Sequence, residues 1–536
     1  MANVYGIDLG TTYSCIAKCD NNGHIEIIRP IGGYASDDTS IPSVITFGED
    51  GTPIVGKTAK ENLKFADSAT RTIDYFKRDM GKDFCEKEVL VGNITRKISP
   101  IEASACMLRT LITSIPEKER NGKPKAVITI PAGYNNDQRQ YVKNAANLAG
   151  IEVLGLIHEP TAAAINYGIN SGNTVLVFDL GGGTLDVSIV RKDKDKYEVL
   201  GFASDKEILD RHIGGIDWDE ILIELAVNIG KWKRDKNNKA EEGWYKEISE
   251  NCKKQFSSPN ITSVKFANPY MPTERPAEIS YDEFVTCSNG LLDDCMKVVT
   301  EAIKKAGEIT IDRCVMAGGS SNLRMIYSRL SKDLSEKIGR GRKEEDWLVK
   351  VDHPERAIAE GAARYAYRLE HGEDDKNLYI EEKSLHSYGT TALEKDKEKI
   401  INLVLSSDPL IITSKKSAKF RPIRGQGNCV SFDVWENECA NDSFEYNRIE
   451  EKDDNILCYD FTNKMIGRLI CNEPYETERE DSQVQLFVSR DKDGIITIEV
   501  VEGNKKSSFP VMPSISREII SQIKKSIELL DKEIDK

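Results

Sequence analysis

The sequence predicts an α/β region over residues 1–370, a β region over residues 384–512 and a C-terminal helix within residues 513–536. In the first region, short apolar runs typical of strands alternate with segments whose apolar residues recur at helical spacing. From about residue 384, short alternating runs separated by turns replace that pattern. A strand ending in Asp-Leu-Gly also occurs twice in the first region, which indicates two duplicated halves.

The individual elements follow from the periodicity of the apolar residues. The strands predicted in the α/β region include VYGID (4–8), AVITIP (126–131), TVLVFDL (174–180) and RCVMAGG (313–319). The helices predicted there include SPIEASACMLRTLITSI (99–115), NDQRQYVKNAANLAGI (136–151) and PERAIAEGAARYAYRLE (354–370). In the β region, DKDG (491–494) between two alternating runs predicts a hairpin. After Pro513, one apolar stripe predicts an amphipathic helix, through Ile515, Ile519, Ile523, Ile527 and Leu530.

Charge and composition exclude several classes of protein. The formal charge of −14 argues against a general binder of nucleic acids or anionic membranes. No apolar run approaches the ~20 residues of a membrane helix. The 12 cysteines show no metal-binding spacing, and Cys15, Cys106 and Cys314 lie in apolar segments expected in the core. With a strand predicted at the N-terminus, we expect a monomeric cytoplasmic protein without nucleic-acid or membrane partners.

The stretch GTPIVGKT (51–58) matches the P-loop pattern letter for letter. Its interior does not suit a phosphate cradle, because Pro53 has no N–H and Ile54 and Val55 are β-branched. The flanking runs instead predict two strands joined by a tight turn at Glu49-Asp50-Gly51. We therefore interpret this stretch as a hairpin.

The predicted phosphate site lies in the repeat, where VYGIDLGTTYSCIAKC (4–19) parallels VLVFDLGGGTLDVSIV (175–190). Glycines let backbone N–H groups approach phosphate oxygens, and Thr11, Thr12 and Thr184 add hydroxyl donors. Asp8 and Asp179, at the strand ends, can hold a hydrated Mg²⁺ ion between the turns. A third turn, MAGGSSNL (316–323), opens a helix and suits the nucleoside end. Any one of these turns alone is equally typical of an ordinary hairpin, but their combination favours a triphosphate site.

The chain resembles the 70-kDa heat-shock protein chaperone family (DnaK-type), which belongs to the actin-like ATPase superfamily. The resemblance rests on motifs in the family's order, namely GIDLGTTYSC, FKR (76–78), ITIPAGYNNDQR, HEPTAAAINYG (158–168), FDLGGGTLDVSI, HIGGIDWD (212–219) and AGGSSN. It implies an actin-like (ribonuclease H-like, duplicated) ATPase domain over residues 1–370, a linker over residues 371–383 and a β-sandwich peptide-binding domain over residues 384–512. Residues 513–536 would be a shortened segment of the family's helical lid.

The resemblance also implies roles for individual residues in ATP or ADP binding with Mg²⁺. Lys77 would reach the γ-phosphate and the attacking water. Glu159 would orient the water or the metal shell, and it can at the same time serve as the acidic first residue of a helix. Asp8 and Asp179 would arrange the metal, and Thr11 and Thr184 would contact the γ-phosphate. The remaining cofactor-binding residues would be Gly10, Thr12, Tyr13, Gly181, Gly182, Gly183, Asp186, Gly214, Gly215, Glu250, Lys253, Lys254, Ser257, Gly318, Gly319, Ser320, Asn322 and Glu355.

Several positions depart from the family's pattern. Lys254 and Asn322 replace the two arginines that sandwich the adenine, which should weaken purine binding because neither side chain stacks as a guanidinium does. Gly155 replaces an arginine that contacts the J-domain partner, so we expect altered coupling to that co-chaperone. The apolar part of the linker is a short Leu378-Tyr379-Ile380 run. Pro131 and Arg139, which relay the family's interdomain signal, are present.

The leading hypothesis is an ATP-driven chaperone whose weak Mg²⁺-dependent ATPase controls its affinity for extended apolar segments of unfolded polypeptides. A J-domain co-chaperone and a nucleotide-exchange factor would be its partners. The alternative is a non-cycling holdase or exchange-type partner that uses ATP structurally. A sugar kinase or a filament-forming protein does not explain the β region.

Overall fold

The computed structural model describes most of the chain. The described residues are 3–31, 34, 39–120, 122–194, 196–268, 275–350, 353–371, 380–381, 386–394, 397–405, 412–420, 430–437, 443–445, 463–471, 484–491, 493–502, 505–510 and 515–534. The chain divides into two compact units. The first unit contains Met1–Ala132, Val142–Tyr379 and Ser516–Lys536, and the second contains Gly133–Tyr141 and Ile380–Ile515.

The helices and the strands of the first unit have the following bounds. The strands are β1 Val4–Asp8, β2 Tyr13–Cys19, β3 Ile25–Ile27, β4 Ile41–Pro42, β5 Val44–Phe47, β6 Pro53–Val55, β7 Thr72–Asp74, β8 Val89–Val91, β9 Ile94–Arg96, β10 Lys125–Ile130, β11 Glu152–His158, β12 Thr174–Leu180, β13 Leu185–Asp193, β14 Lys196–Ser204, β15 Ser263–Phe266, β16 Ala277–Ser280, β17 Arg313–Ala317 and β18 Leu348–Lys350. The helices of the whole described chain are α1 Lys57–Asn62, α2 Ala66–Ala69, α3 Pro100–Thr113, α4 Asn136–Ala149, α5 Glu159–Tyr167, α6 Asp205–Leu209, α7 Gly215–Gly230, α8 Lys239–Phe256, α9 Tyr281–Ala306, α10 Arg324–Leu334, α11 Glu344–Trp347, α12 Pro354–His371 and α13 Arg517–Ile534.

Two sheets of the first unit have the same strand order, as the repeated motif predicts. One runs β3-β2-β1-β10-β11 and the other runs β14-β13-β12-β17-β18. In each sheet an antiparallel hairpin follows the Asp-Leu-Gly strand, with Asp8 opposite Cys15 and Asp179 opposite Asp186. In each sheet the same strand also pairs in parallel with a later strand, β10 or β17. The two halves are therefore duplicated in topology as well as in sequence.

Helices α5 and α12 pack against each other, and they hold the ends of the sheets in place. Their close approach depends on glycine, because a Cβ atom at Gly361 would overlap the backbone carbonyl of Ala162. Gly6 in β1 meets α12 in the same way, since a Cβ atom there would overlap the backbone at Ala359 and Ala363. These contacts fix the strand that ends at Asp8.

The P-loop lookalike is a hairpin, as predicted. Strand β5 pairs with β6 in antiparallel register, with Phe47 opposite Pro53. Asp50 closes the turn by accepting a hydrogen bond from the backbone N–H of Thr52 at 2.9 Å. Lys57 is exposed at the start of α1 and does not line the cleft that lies between the Asp-Leu-Gly turns of the two sheets.

The described residues of the second unit form two antiparallel sheets. Its strands are β19 Ile380–Glu381, β20 Ser387–Glu394, β21 Lys397–Val404, β22 Ile412–Phe420, β23 Val430–Asn437, β24 Ser443–Glu445, β25 Asn463–Cys471, β26 Val484–Arg490, β27 Ile496–Glu502 and β28 Lys505–Pro510. One sheet has the order β24-β21-β20-β23-β25 and the other β22-β26-β27-β28. The predicted DKDG hairpin joins β26 to β27. Side chains from both sheets meet in a small internal space lined by Tyr388, Val434, Leu486 and Ile498.

Several buried polar residues form hydrogen bonds within the second unit. The Tyr388 hydroxyl donates to Glu436 at 2.6 Å, and the backbone N–H of Asn136 donates to the same carboxylate at 3.1 Å. The Arg139 guanidinium donates to the backbone carbonyl of Asp493 at 3.3 Å. Leu378 and Tyr379, from the predicted linker run, lie outside the described residues.

Helix α13 belongs to the first unit and packs on α3. Of the predicted stripe, Ile519, Ile523 and Leu530 are buried, whereas Ile527 is only half-buried. Ser526 is buried instead, and its hydroxyl donates to the fully buried Glu102 at 2.6 Å. The assignment of this helix to a lid stays a prediction.

Two further predictions concern the cysteines and the membrane helices. Cys15, Cys106 and Cys314 are buried free thiols. In the part of the chain that the structure describes, no helix is long and apolar enough to cross a membrane.

Candidate functional site

A cleft of about 530 Å³ opens in the first unit between the turns of the two sheets. It brings together most of the predicted site residues, although they are spread over more than three hundred positions of the sequence. The predicted residues that line it are Asp8, Gly10, Thr11, Thr12, Tyr13, Lys77, Glu159, Asp179, Gly181, Gly182, Thr184, Glu250, Lys253, Lys254, Ser257, Gly318, Gly319, Ser320, Asn322 and Glu355.

Four predicted residues do not line the cleft but lie next to residues that do. Asp186 is buried opposite Asp179 in the β12–β13 ladder. Gly183 and Gly214 are packed backbone to backbone, and a Cβ atom on Gly214 would overlap Gly183. Gly215 accepts a hydrogen bond from the Lys253 ammonium at its carbonyl, at 2.7 Å. These residues form a layer that supports the cleft wall.

The first turn follows β1 and is held from outside by serine hydroxyls. The Gly10 N–H donates to Ser14 Oγ at 3.1 Å, and the Ser43 hydroxyl donates to the Gly10 carbonyl at 2.7 Å. The Thr12 carbonyl accepts from the Ser43 N–H at 2.8 Å. The Thr12 hydroxyl is buried and has no hydrogen-bond partner among the described residues. A buried polar atom normally has such a partner, so this hydroxyl is suited to a ligand oxygen.

The second turn follows β12 and is closed by its own backbone. The Gly181 N–H donates to the Thr184 carbonyl at 3.0 Å. The N-terminus of α7 lies directly against it, because the N–H groups of Gly215 and Ile216 donate to the carbonyls of Gly181 and Gly182 at 3.1 and 3.0 Å. Thr184 is thereby held at the cleft wall.

Three carboxyls lie at the base of the cleft or directly behind it: Asp8 is half-buried, and Asp179 and Asp186 are buried. Burial and the nearby negative charge of Glu159 raise the pKa of Asp8 from its ordinary value near 3.8 to about 7, although Lys77 opposes this shift. The same two causes raise the pKa of Asp179 and of Asp186 well above the usual range. Crowded carboxylates of this kind repel one another, so a bound cation would stabilise their charged forms.

Lys77 and Glu159 form a buried ion pair beside these carboxyls. The Lys77 Nζ to Glu159 Oε1 distance is 2.6 Å, and the two side chains are only 6% and 8% exposed. Lys77 lies in a short 3-10 helix, Phe76–Asp79, and Glu159 is the first residue of α5. Tyr75, just before the 3-10 helix, adopts a left-handed conformation with φ 56°, which is unfavourable for a residue with a side chain.

Helix α8 forms the wall opposite Tyr13. The Glu250 carboxylate accepts from the Tyr13 hydroxyl, from Lys60 and from Lys254. Burial alone would raise the pKa of Glu250, but the two lysines hold it well below its usual range. Lys253 is also paired, because its ammonium lies 2.7 Å from Asp219 Oδ2. Glu250 therefore remains charged within a cluster of cations.

The third turn follows β17 and completes the cleft. Gly318 has φ 77°, and a Cβ atom there would overlap the Leu180 carbonyl and approach Asp179. Arg324, at the start of α10, ties this turn to the end of α8 by donating to the carbonyls of Phe256 and Ile261 at 2.9 and 2.8 Å. Asn322 and Lys254 both line the cleft, and the Lys254 ammonium is directed towards the Tyr13 ring, 5.4 Å from its centroid.

These residues fit a magnesium nucleotide. The unpartnered Thr12 hydroxyl and the glycine backbones offer donors to phosphate, and Asp8 and Asp179 offer oxygen atoms to a hydrated Mg²⁺ ion. In the described residues, no group of three or more His, Cys, Asp or Glu side chains is placed to hold a metal ion.

Sequence reasoning missed several residues of the site. Lys60 reaches Glu250 from α1, Arg78 donates to the Gly183 carbonyl at 2.5 Å, and Ser43 and Arg324 hold the first and third turns. Arg78 stands beside Lys77 in the quoted FKR motif, so the motif could have indicated it. The other three carry no local signal, because their partners are distant in sequence.

A comparison with protein-family models agrees with this geometry. The model described as "Hsp70 protein" matches residues 4–441, which is most of the chain. This match covers the cleft, both duplicated sheets and the first strands of the second unit. Through the order of its motifs, its duplicated fold and this match, the chain is a member of the Hsp70 family of ATPases and chaperones.

Proposed function

We propose that this protein is an ATP-dependent chaperone that hydrolyses Mg-ATP in the cleft of its first unit. The observation that carries the proposal is the buried Lys77–Glu159 ion pair, which lies beside Asp8 and Asp179 between the two Asp-Leu-Gly turns. A cation, an acid and two glycine turns in one cleft meet the needs of phosphoryl transfer, in which positioning and charge stabilisation supply most of the catalysis.

Each group has a distinct task in this proposal. The Lys77 ammonium stabilises the negative charge that develops on the transferred phosphoryl group. Glu159 holds that ammonium in place and accepts a hydrogen bond from the attacking water. Thr11 and Thr184, on opposite turns, donate to the terminal phosphate. A magnesium ion bound at Asp8 and Asp179 would neutralise phosphate charge.

The nucleoside end is the less specific part of the site. Glu250, Lys253, Lys254 and Ser257 would flank the ribose and base on one side, with the Gly318–Asn322 turn on the other. Because the Lys254 ammonium is paired with Glu250, it offers the base little stacking surface. We therefore propose weaker selection for the base than for the triphosphate.

The second unit would bind extended apolar peptide segments. Its two antiparallel sheets support this proposal, because a peptide can bind such a scaffold through main-chain hydrogen bonds and side-chain pockets. ATP would lower the affinity for peptide and hydrolysis would raise it. A J-domain co-chaperone and a nucleotide-exchange factor are proposed partners, with the J-domain contact altered at Gly155 in the edge strand β11.

Three measurements on the full chain test the proposal. Calorimetry with Mg-ATP should show binding that is lost on chelating the metal, and single-turnover hydrolysis should follow. Release of a fluorescent apolar peptide should be faster with ATP than with ADP. A folded protein that gives no heat with Mg-ATP would refute the site, and identical release rates in all nucleotide states would refute the coupling.

A further inference from the structure

Asp205 is a buried carboxylate that lies behind the cleft and does not line it. Its side chain is 2% exposed, and it is the first residue of α6, directly after the end of β14. Its Oδ2 atom accepts from the backbone N–H of Leu185 at 2.9 Å and from that of Ile213 at 2.6 Å. Its Oδ1 atom accepts from the backbone N–H of the next residue, Lys206, at 2.6 Å. The His212 Nδ1 atom lies 3.3 Å from the same oxygen.

The two residues bound by Oδ2 flank the second turn and the N-terminus of α7, which packs behind it. Leu185 directly follows Thr184, and Ile213 directly precedes Gly214 and Gly215. A single oxygen atom therefore fixes the end of the second turn relative to the start of α7. The bonds from the Gly215 and Ile216 N–H groups to the second turn depend on this same register.

The packing behind the second turn allows little freedom. A Cβ atom at Gly214 would overlap Gly183, and one at Gly182 would overlap the Thr12 side chain. A small rotation of α7 would thus press on the turn and displace Thr184. Displacements of about 1 Å from productive geometry can cost on the order of 10²-fold in rate.

We infer that Asp205 is a positioning residue for ATP hydrolysis, which acts by holding Thr184 and the α7 N-terminus in one register. This inference rests on the proposed function. Asp205 does not touch the nucleotide in this role, and its effect reaches the terminal phosphate through the backbone of Leu185. Loss of the carboxylate should therefore affect hydrolysis more strongly than binding of ADP.

The chain offers a graded pair of variants and a matched control. In Asp205→Asn, the amide oxygen can still accept from Leu185 and Ile213, but it carries no charge and accepts more weakly than a carboxylate oxygen, and the amide NH₂ group then faces the Lys206 N–H. The clamp is therefore only partly kept. Asp205→Ala removes every acceptor. Asp312 is the control, because its carboxylate accepts from the Thr174 N–H at 2.8 Å at the far end of β12.

The test measures single-turnover hydrolysis, KM for ATP and Kd for Mg-ADP on folded full-length variants. We expect the rate to fall by roughly tenfold in Asp205→Asn and on the order of 10²-fold in Asp205→Ala. Kd for Mg-ADP should change by less than about threefold, and Asp312→Ala should keep the wild-type rate. If Asp205→Ala does not fold, the asparagine variant decides the question.

Two results would overturn the inference. One is a wild-type rate in folded Asp205→Asn, and the other is an equal loss of hydrolysis rate and ADP affinity that follows the folded fraction in urea titrations. Failure of the proposed function is separately visible, because the wild-type protein would then hydrolyse no ATP in the same assay. If the wild type hydrolyses ATP and folded Asp205→Asn does so at the same rate, only the positioning role of Asp205 is wrong.

Discussion

Replacing Lys77 by methionine tests the centre of the proposed site, because it removes the ammonium and keeps most of the stem. In the native protein this ammonium lies 2.6 Å from Glu159, with both side chains almost fully buried. It also opposes the burial and the negative charge that raise the pKa of Asp8 and Asp179. The substitution therefore removes the charge proposed to act in catalysis. It also leaves the negative charges of Glu159, Asp8 and Asp179 without the nearby ammonium that offsets them.

Two effects of different size should follow. Deleting one preorganised charge donor typically slows the chemical step by on the order of 10²–10³-fold. Leaving a buried carboxylate unpaired typically costs about 3–5 kcal/mol of unfolding free energy. Because the pair borders an open cleft, we expect the lower end of that range, about 3 kcal/mol. The double variant Lys77→Met/Glu159→Gln removes both charges, so it should recover most of the stability and none of the hydrolysis.

Single-turnover hydrolysis and urea unfolding on the same preparations separate these effects. We expect slow hydrolysis in both Lys77→Met and Lys77→Met/Glu159→Gln, but a reduced unfolding free energy only in Lys77→Met. A normal single-turnover rate in folded Lys77→Met would remove Lys77 from the mechanism. A double variant as unstable as the single one would contradict the ion-pair argument.

Three further predictions concern the hairpin, the acidic base of the cleft and the nucleoside end. Lys57→Ala should leave Mg-ATP affinity within about twofold by calorimetry, because Lys57 is exposed at the start of α1 and does not line the cleft. Loss of binding would mean that GTPIVGKT holds phosphate after all. The folded protein raises the pKa of Asp8 from 3.8 to about 7, so this carboxyl contributes stability that is present at low pH and lost as pH rises through about 7. Urea unfolding without nucleotide between pH 5.5 and 8 should show that decline. Asp8→Asn should make the decline shallower without abolishing it, because the pKa values of Asp179 and Asp186 are raised as well, and an unchanged decline would contradict the role of Asp8. Asn322→Arg should tighten ATP binding by up to about tenfold, because a guanidinium would add a stacking surface at the cleft; an unchanged Kd in the folded variant would contradict the proposed position of the base.

The sequence by itself determined the local elements and the chemistry of the turns. Helical periodicity placed α3, α4 and α12, and the Asp-Leu-Gly repeat predicted the duplication seen in the two sheets. The Pro53-Ile54-Val55 interior was sufficient to reject a P-loop in favour of a hairpin. These inferences succeed because they depend on backbone preferences and on neighbours within a few residues.

The tertiary structure alone decided how distant residues meet. Lys60 and Glu250 are 190 positions apart, and Arg324 reaches carbonyl groups more than 60 positions away, so no local pattern indicates either contact. Ser526 is buried where the apolar stripe of α13 predicted Ile527, and its hydroxyl donates to the buried Glu102 carboxylate, which also accepts from Arg96. Asp205 was invisible for the same reason, since its role depends on two backbone N–H groups that only the folded chain brings to one oxygen atom. Periodicity reports which face of an element is apolar, but the partners of a buried polar group are set by the packing of elements from distant parts of the chain.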